Sequence, residues 1–346
     1  MYVSFLRDVR KAVGDELGAA PAKGDPRLHR KAALILLWYA ASLAGLLTAP
    51  DFPLRLAAAL SFAGASTAIG FNIFHDANHG SFGKSRAVNT AVSVFCSVLI
   101  GPARRIWRVK HNILHHLHPN VGAVDDDLDG RGLLRFAPTV PWKPNYRRQQ
   151  MTAPFLYALN TIEWIFIKDF VRYFSGRMNA HRPLPPMRLA DHAEFWLSKL
   201  AYGAIVVAPP FFVMPAVEAA LCFFAFHAVF GLSVCLVFLP SHLTHDMAFW
   251  EKETGEDVAR QLLATANYGV GDPLTTWFTG GINLQIEHHL FPHLSHVHYA
   301  SIAPVVERVA GAHGLPYLRL GGFGEAVARH FSFLREMGRR PAPAAA

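Results

Sequence analysis

Four segments of this chain, each at least about 18 residues long, contain no Lys, Arg, Asp or Glu. They cover residues 32–49, 56–74, 200–217 and 219–240. As helices rising about 1.5 Å per residue, all four are about long enough to cross the hydrocarbon core of a bilayer. Only a few residues separate the first from the second and the third from the fourth. The sequence therefore predicts an all-α integral membrane protein with four transmembrane helices in two hairpins.

The composition agrees with membrane insertion. Hydrophobic residues make up 52% of the 346 positions and charged residues only 17%, a balance that favours a membrane protein over a soluble one. The basic residues form no stripe interleaved with aromatic residues, so we expect no nucleic-acid partner. Cys96, Cys222 and Cys235 lie in apolar runs without CxxC spacing, which is typical of packed thiols.

The distribution of positive charge predicts the orientation. Residues 1–31 carry seven Lys and Arg residues, whereas the two short turns on the opposite side carry one, Arg55. Because basic residues mark the cytoplasmic side, both termini and the long middle segment should be cytoplasmic. We predict a cytoplasmic N-terminal segment (1–31), one membrane unit (32–334) and a disordered tail (335–346).

The middle segment is mixed in character. Residues 88–103 are apolar but too short to span, so we expect them to lie at the membrane interface or to dip into it. Residues 155–171 are rich in aromatic residues but are interrupted by Glu163, Lys168 and Asp169. That pattern favours a helix lying along the membrane surface.

Three histidine clusters follow the apolar segments, all on the predicted cytoplasmic side. On a helix, residues spaced i, i+3 and i+4 share one face, so His75 can join His79 at one centre and His111 can join His115. His116 is rotated by about 100° and can reach a second ion. The clusters are His75 and His79; His111, His115 and His116; and Gln285, His288 and His289.

So many imidazoles exceed the four ligands of a closed structural zinc site. Imidazole suits iron, zinc and copper, and a dinuclear iron or zinc centre fits this number best. Ligating histidines need acceptors for their second ring nitrogen. The acidic residues near the clusters are candidates for that role: Asp76, Asp125, Asp126, Asp127 and Glu287. Solvated surface charge is the alternative for members of the Asp125–Asp127 run.

The order and spacing of these motifs resemble the membrane fatty acid desaturases. The resemblance rests on HxxxH at 75–79, HxxxHH at 111–116 and QxxHH at 285–289, and it extends over residues 32–318. A Gln at the first position of the third cluster is similar to the front-end and related acyl-lipid branch. Front-end enzymes place the new double bond between an existing one and the carboxyl end.

The resemblance implies which residues hold the metal. It makes the seven clustered histidines iron ligands, and His242, just after the fourth apolar segment, matches a further ligand position. His245 competes with His242 for that role. Gln285 coordinates weakly, through water or not at all, and the role of Asn120 is open. Asp76 and Glu287 remain candidates for metal binding or for supporting a ligand.

The resemblance also implies the cofactors and partners: two iron ions, dioxygen as co-substrate, and a fatty acyl lipid, acyl-CoA or acyl-carrier substrate. Fused relatives carry a cytochrome b5 domain with a His-Pro-Gly-Gly motif, which this sequence lacks. We therefore expect electrons from a separate ferredoxin or cytochrome b5-type donor.

Three other functions compete with this interpretation. A hydroxylase, ketolase or acetylenase would use the same scaffold. A metal transporter or haem protein would place ligands inside the apolar segments, where only His227 lies. A non-catalytic lipid- or metal-binding membrane protein is the third.

Overall fold

The computed structural model describes residues 2–253 and 257–341, and these parts are helical without a named β-strand. The first half contains α1 (Tyr2–Leu17), α2 (Pro26–Thr48), α3 (Phe52–His79), α4 (Arg86–Ile100), α5 (Arg104–His115) and α6 (149–175). The second half contains α7 (Leu189–Val213), α8 (Ala216–Ser241), α9 (Asp257–Leu263), α10 (Pro273–Thr279), α11 (Gln285–Leu290), α12 (Tyr299–Ala312) and α13 (Phe323–Met337).

Four of these helices, α2, α3, α7 and α8, are long and apolar enough to cross a membrane. Each begins or ends beyond the apolar segment predicted for it. The side chains of Asp25 and Asp51 cap the first turns of α2 and α3 by accepting from backbone N–H groups, and a proline follows each cap. α3 continues past residue 74 and carries the first histidine cluster in its last turn.

The middle segment forms a bent helix pair and one long helix. α4 and α5 meet at an angle of 113°, and together they are long and apolar enough for a broken span or a re-entrant loop. The segment at 88–103, which we predict to lie at the membrane interface or to dip into it, belongs to this pair. The predicted helix at 155–171 is part of α6, which packs along α8. The predicted tail begins too early, because α13 continues to Met337; residues 342–346 lie outside the described ones.

α6 and α8 approach each other closely at Gly231. A Cβ at this position would contact the backbone oxygen of Tyr157 and lie 3.1 Å from that of Ala158. We expect Gly231→Ala to lower the free energy of unfolding by about 1–3 kcal/mol, because neither backbone oxygen can move freely. Gly203 in α7 is the matched control, since a Cβ there meets nothing within 4 Å. Thermal unfolding in detergent should show a lower Tm for Gly231→Ala alone; equal Tm values would contradict this packing.

A buried histidine outside the clusters ties α13 to the loop that follows α8. His330 is fully buried between the hydroxyl group of Tyr157 (2.8 Å) and the carbonyl of Leu243 (3.0 Å). Burial lowers the pKa of His330 to about 4, and the hydrogen bond to Leu243 only partly opposes this shift. The neutral ring is therefore the folded form.

Because the folded-state pKa of His330 lies below its unfolded value, its protonation destabilises the fold as the pH falls below about 6.5. We expect the wild type to lose up to about 1 kcal/mol per pH unit relative to His330→Gln between pH 6.5 and 5. Chemical denaturation at pH 7.5, 6.0 and 5.0 measures this difference. Parallel pH profiles for the two proteins would show that folding does not lower the pKa of His330.

Candidate metal centre

Four segments that carry histidines converge at one end of the apolar helices. The last turn of α3 supplies His75 and His79, and α5 with the residue after it supplies the second cluster. His242 follows α8 directly, and α11 supplies the third cluster. All the predicted box histidines are buried. The sequence places these segments far apart, and the folding of the two hairpins brings them together.

α3 and α5 both change from α- to π-helical hydrogen bonding as they reach the centre, at Gly70–Phe74 and Val109–His115. The N–H of His116 donates to the carbonyl oxygen of His111, five residues earlier, at 2.9 Å. π-Helical turns often occur at functional sites. This change alters the direction of the second cluster relative to an ideal α-helix.

The imidazoles form two groups in which the ligand atoms lie within 4.8 Å of one another. The first group is His75, His79, His111 and His288; the second is His115, His242 and His289. Nε2 of His116 lies 3.2 Å from Nε2 of His111 and 2.8 Å from Nε2 of His288, so it borders the first group. The prediction that His111 and His115 share one centre is wrong, because the π-helical turn directs them into different groups.

The hydrogen bonds made by Nδ1 of three histidines show that their Nε2 atoms face the centre. Nδ1 of His242 lies 2.9 Å from the carbonyl oxygen of Ala264, and Nδ1 of His115 lies 3.2 Å from each carboxylate oxygen of Asp125. A carbonyl and an ionised carboxylate only accept, so both Nδ1 atoms must donate. Nδ1 of His289 lies 2.6 Å from Oε1 of Gln261. In His115 the Nε2 lone pair is thus free to bind a metal, whereas Nε2 of His242 accepts from the side-chain amide of Gln285.

Several inward atoms have no partner among the described residues. Nε2 of His79, His115 and His289 and Oε1 of Gln285 are buried and accept or donate no hydrogen bond. Such buried polar atoms are costly unless something binds them. The two nearest Nε2 pairs of the first group, His75–His111 at 3.0 Å and His116–His288 at 2.8 Å, match the spacing of about 3 Å between adjacent ligands with metal–nitrogen bonds of about 2.1 Å.

The electrostatics favour neutral imidazoles at most of the clustered histidines; at His115, burial lowers the pKa but Asp125 and Asp127 raise it more, so the net pKa shift is upward. Burial lowers the pKa values of His288 and His289 well below the usual range, and the neighbouring histidines lower them further. Uncharged imidazole is the form that binds a metal ion. The donor set and the partnerless nitrogens therefore fit two metal ions of the borderline class.

The acidic residues near the clusters have different roles. Asp76 accepts from His296 at 3.0 Å, while its other oxygen lies 3.9 Å from His75. Asp125 and Asp127 both approach His115. Asp126 turns away and pairs instead with Arg172 at 2.5 Å.

Glu287 lies in α11 but faces away from the ligand groups. It accepts hydrogen bonds from Asn267 at 2.7 Å and from Tyr317 at 2.9 Å. Burial raises the pKa of Glu287 to about 7. Its contacts anchor α11 to the segment after α9 and to the segment after α12 rather than to a metal.

Gln285, His245 and Asn120 are also placed by the structure. The side-chain amide of Gln285 lies 2.7 Å from Nε2 of His242, at the second group. His245 lies outside both groups, where it contacts Ser332 and Glu336. Asn120 donates to the carbonyl oxygens of His242 and Ala248 at 3.1 Å and has a positive φ of 57°. It therefore joins the loop after the second cluster to the loop that carries His242.

The structure adds residues that sequence reasoning missed. Gln261 in α9 contacts the ring of His289 and also donates to the carbonyl oxygen of His116 at 2.8 Å. Nζ of Lys31 in α2 lies 2.9 Å from Nε2 of His296. Since His296 also contacts Asp76, it links Asp76 to α2. A single Gln or Lys has no distinctive spacing, so no sequence signal marks either one.

An apolar cavity reaches the first group from the side of α3, α5, α6 and α8. Six aromatic side chains line it, together with His75 and His111. Lys110, Glu163, Lys168 and Arg172 line the same cavity. The cavity therefore brings apolar, imidazole and charged side chains together.

The sequence model of the fatty acid desaturase family matches residues 51–321. This range contains all the histidines of both groups and most of the apolar helices. The chain belongs to the fatty acid desaturase family.

Individual relatives show which desaturases this chain is similar to. The sn-1 linoleoyl-lipid 6-desaturase of Synechocystis sp. is 29% identical, with 92% of this chain and 90% of that protein aligned. The protein of the same name from Arthrospira platensis is 28% identical over 98% of this chain and 94% of its own length. The acyl-lipid (7-3)-desaturase of Rebecca salina is 31% identical over 79% of this chain and 62% of its own length.

Proposed function

We propose that this protein is a di-iron, dioxygen-dependent desaturase of fatty acyl chains, of the front-end type. The observation that carries the proposal is the pair of buried histidine groups with partnerless Nε2 atoms at the end of an apolar cavity. His75, His79, His111, His116 and His288 would hold one iron. His115, His242 and His289, with Gln285 beside them, would hold the other.

Bound iron would supply the activation of dioxygen that removal of hydrogen from an unactivated methylene requires. The protein would position the acyl chain and keep water away from it. Phe71, Phe74, Trp107 and Phe238 line the cavity and exclude water from the acyl chain. His75 and His111 line the same cavity and would hold a metal ion beside the chain.

Charged residues in the same cavity as His75 support the front-end assignment. Lys168 and Arg172, which pair with Asp126, line this cavity, and a head group bound beside them would lie near the metal centre. The reactive methylenes would then lie on the carboxyl side of an existing double bond. The two relatives aligned over nearly their full length, both named linoleoyl-lipid 6-desaturases, support an acyl-lipid substrate rather than acyl-CoA.

The charge distribution supports a cytoplasmic active site. The N-terminal 31 residues are basic, and the metal-binding groups lie on the same side of the apolar helices as that segment. We therefore infer that both termini and the metal centre face the cytoplasm.

Fatty acid analysis of a host that makes linoleoyl lipids tests the function. We expect a new double bond on the carboxyl side of the existing ones and no oxygen added to the chain. His288→Ala is the inactive control. Hydroxylated or ketonic products alone would instead assign the protein to the hydroxylases or ketolases, and a folded protein with far fewer than two irons would favour a non-catalytic member.

A further inference from the structure

A second cleft, separate from the apolar cavity, is lined by His79 of the first group. It lies between the segment before α2, the end of α3, the start of α4 and α5, and we call it the basic cleft. Its cationic lining residues are Lys23, Lys84, Arg86, Arg104 and Arg108. The basic cleft and the apolar cavity have no lining residue in common. Both can therefore be occupied at the same time.

The basic cleft has a strong excess of positive charge. No carboxylate lines it, and Arg104 is paired with Glu194 at 2.5 Å. Lys23, Lys84, Arg86 and Arg108 form no ion pair with the described residues. Nε of Arg108 is buried without a hydrogen-bond partner. An unpaired and partly buried guanidinium is costly, so the basic cleft is suited to an anionic partner.

The base of the cleft is a metal-binding residue. His79 lines it, together with His293. His293 is exposed, and its Nδ1 lies 2.6 Å from the carbonyl oxygen of His79. One exposed imidazole therefore connects the surface of the cleft with the backbone of a residue in the first group. This is a short route for electrons from a protein docked in the cleft.

The proposed reaction needs such a route. Forming one double bond removes two hydrogens from the acyl chain and supplies two electrons. Reducing dioxygen to two waters takes four electrons, so two electrons and two protons must come from outside. An electron carrier must deliver those electrons while the acyl chain occupies the apolar cavity.

We propose that the basic cleft is the docking site of an acidic one-electron carrier protein, and that electrons enter through His293 and His79. The inference rests on the proposed function for its need of electrons, but the binding surface can be tested separately. Complementary charge speeds association and sets the orientation of the partner. It also makes binding sensitive to salt.

The test uses the iron-loaded enzyme in nanodiscs of phosphatidylcholine and an acidic [2Fe–2S] ferredoxin as the probe. Biolayer interferometry measures the Kd at low and high salt. Lys84→Glu with Arg86→Glu should weaken binding by about tenfold or more at low salt, with little difference at 0.5 M salt. Arg147→Glu with Arg148→Glu, an equal charge change at exposed positions outside the cleft, should leave the Kd unchanged.

A kinetic comparison tests the route. Reduction of the metal centre is followed with ferredoxin and with photoreduced 5-deazariboflavin, a small uncharged reductant. His293→Ala should keep the ferredoxin Kd but lower the ratio of the ferredoxin-driven to the deazaflavin-driven rate by about tenfold. In the Lys84 and Arg86 double variant, the same ratio should fall together with the affinity.

The outcomes separate this inference from the proposed function. Product formed with deazaflavin, but an unchanged ferredoxin Kd in the double variant, overturns the docking site alone. Loss of binding to phosphatidylserine vesicles without loss of ferredoxin binding identifies a membrane contact and also overturns it. An unchanged rate ratio in His293→Ala overturns the route. No product with either reductant, in protein that binds ferredoxin normally, refutes the function and not the surface.

Discussion

His242→Ala should lose at least about 100-fold in desaturation, because it removes a proposed ligand from the smaller of the two groups. Even outer contacts of a metal site change affinity or activity by about 10- to 100-fold, and a direct ligand should exceed this. His242 contributes its Nε2 beside Gln285, with Nδ1 held by Ala264. Iron content should fall from about two ions per chain towards one, measured by elemental analysis beside the product assay.

His245→Ala is the matched control for that experiment. It removes an imidazole three residues away that lies at the surface and contacts Ser332 and Glu336. We expect two irons per chain and wild-type product levels. The reverse result, with iron lost in His245→Ala and retained in His242→Ala, would contradict the assignment of the second group.

The apolar helices and the histidine clusters could be predicted from the sequence for a simple reason. Charge-free segments of this length and histidine spacing are local properties, and both can be read without knowing which helices touch. The choice between His242 and His245 needed the structure, because the 3₁₀ turn at Leu239–Ser241 decides which of two nearby residues turns inward.

The division of the second cluster could not be predicted from spacing. An i, i+4 rule assumes an α-helix, and His111 and His115 lie in a π-helical turn. Long-range contacts could not be predicted from the sequence either. Gln261 contacts His289, 28 positions away, and Lys31 contacts His296, 265 positions away. Only packing of the helices creates such pairs.

A buried ion pair holds the bend that directs the second cluster towards the centre. Lys199 in α7 donates to Asp169 at 2.7 Å and to the carbonyl oxygens of Gly101 and Ile165 at 2.8 Å each. The same oxygen of Asp169 accepts from the N–H of Ala103 at 2.8 Å. Gly101 and Ala103 lie at the junction of α4 and α5, so the pair fastens that junction to α6 and α7.

Lys199→Met should destabilise the fold by about 3–5 kcal/mol, because it leaves the fully buried Asp169 unpaired. Thermal unfolding in detergent measures the change. Adding Asp169→Asn should recover most of the lost stability, since the amide oxygen can still accept from Ala103 while the buried charge is gone. If the double variant were as unstable as Lys199→Met, the loss would come from the packing of the lysine stem and not from the unpaired carboxylate. Iron content should follow stability in this series, because α5 carries His111 and His115 beyond the bend.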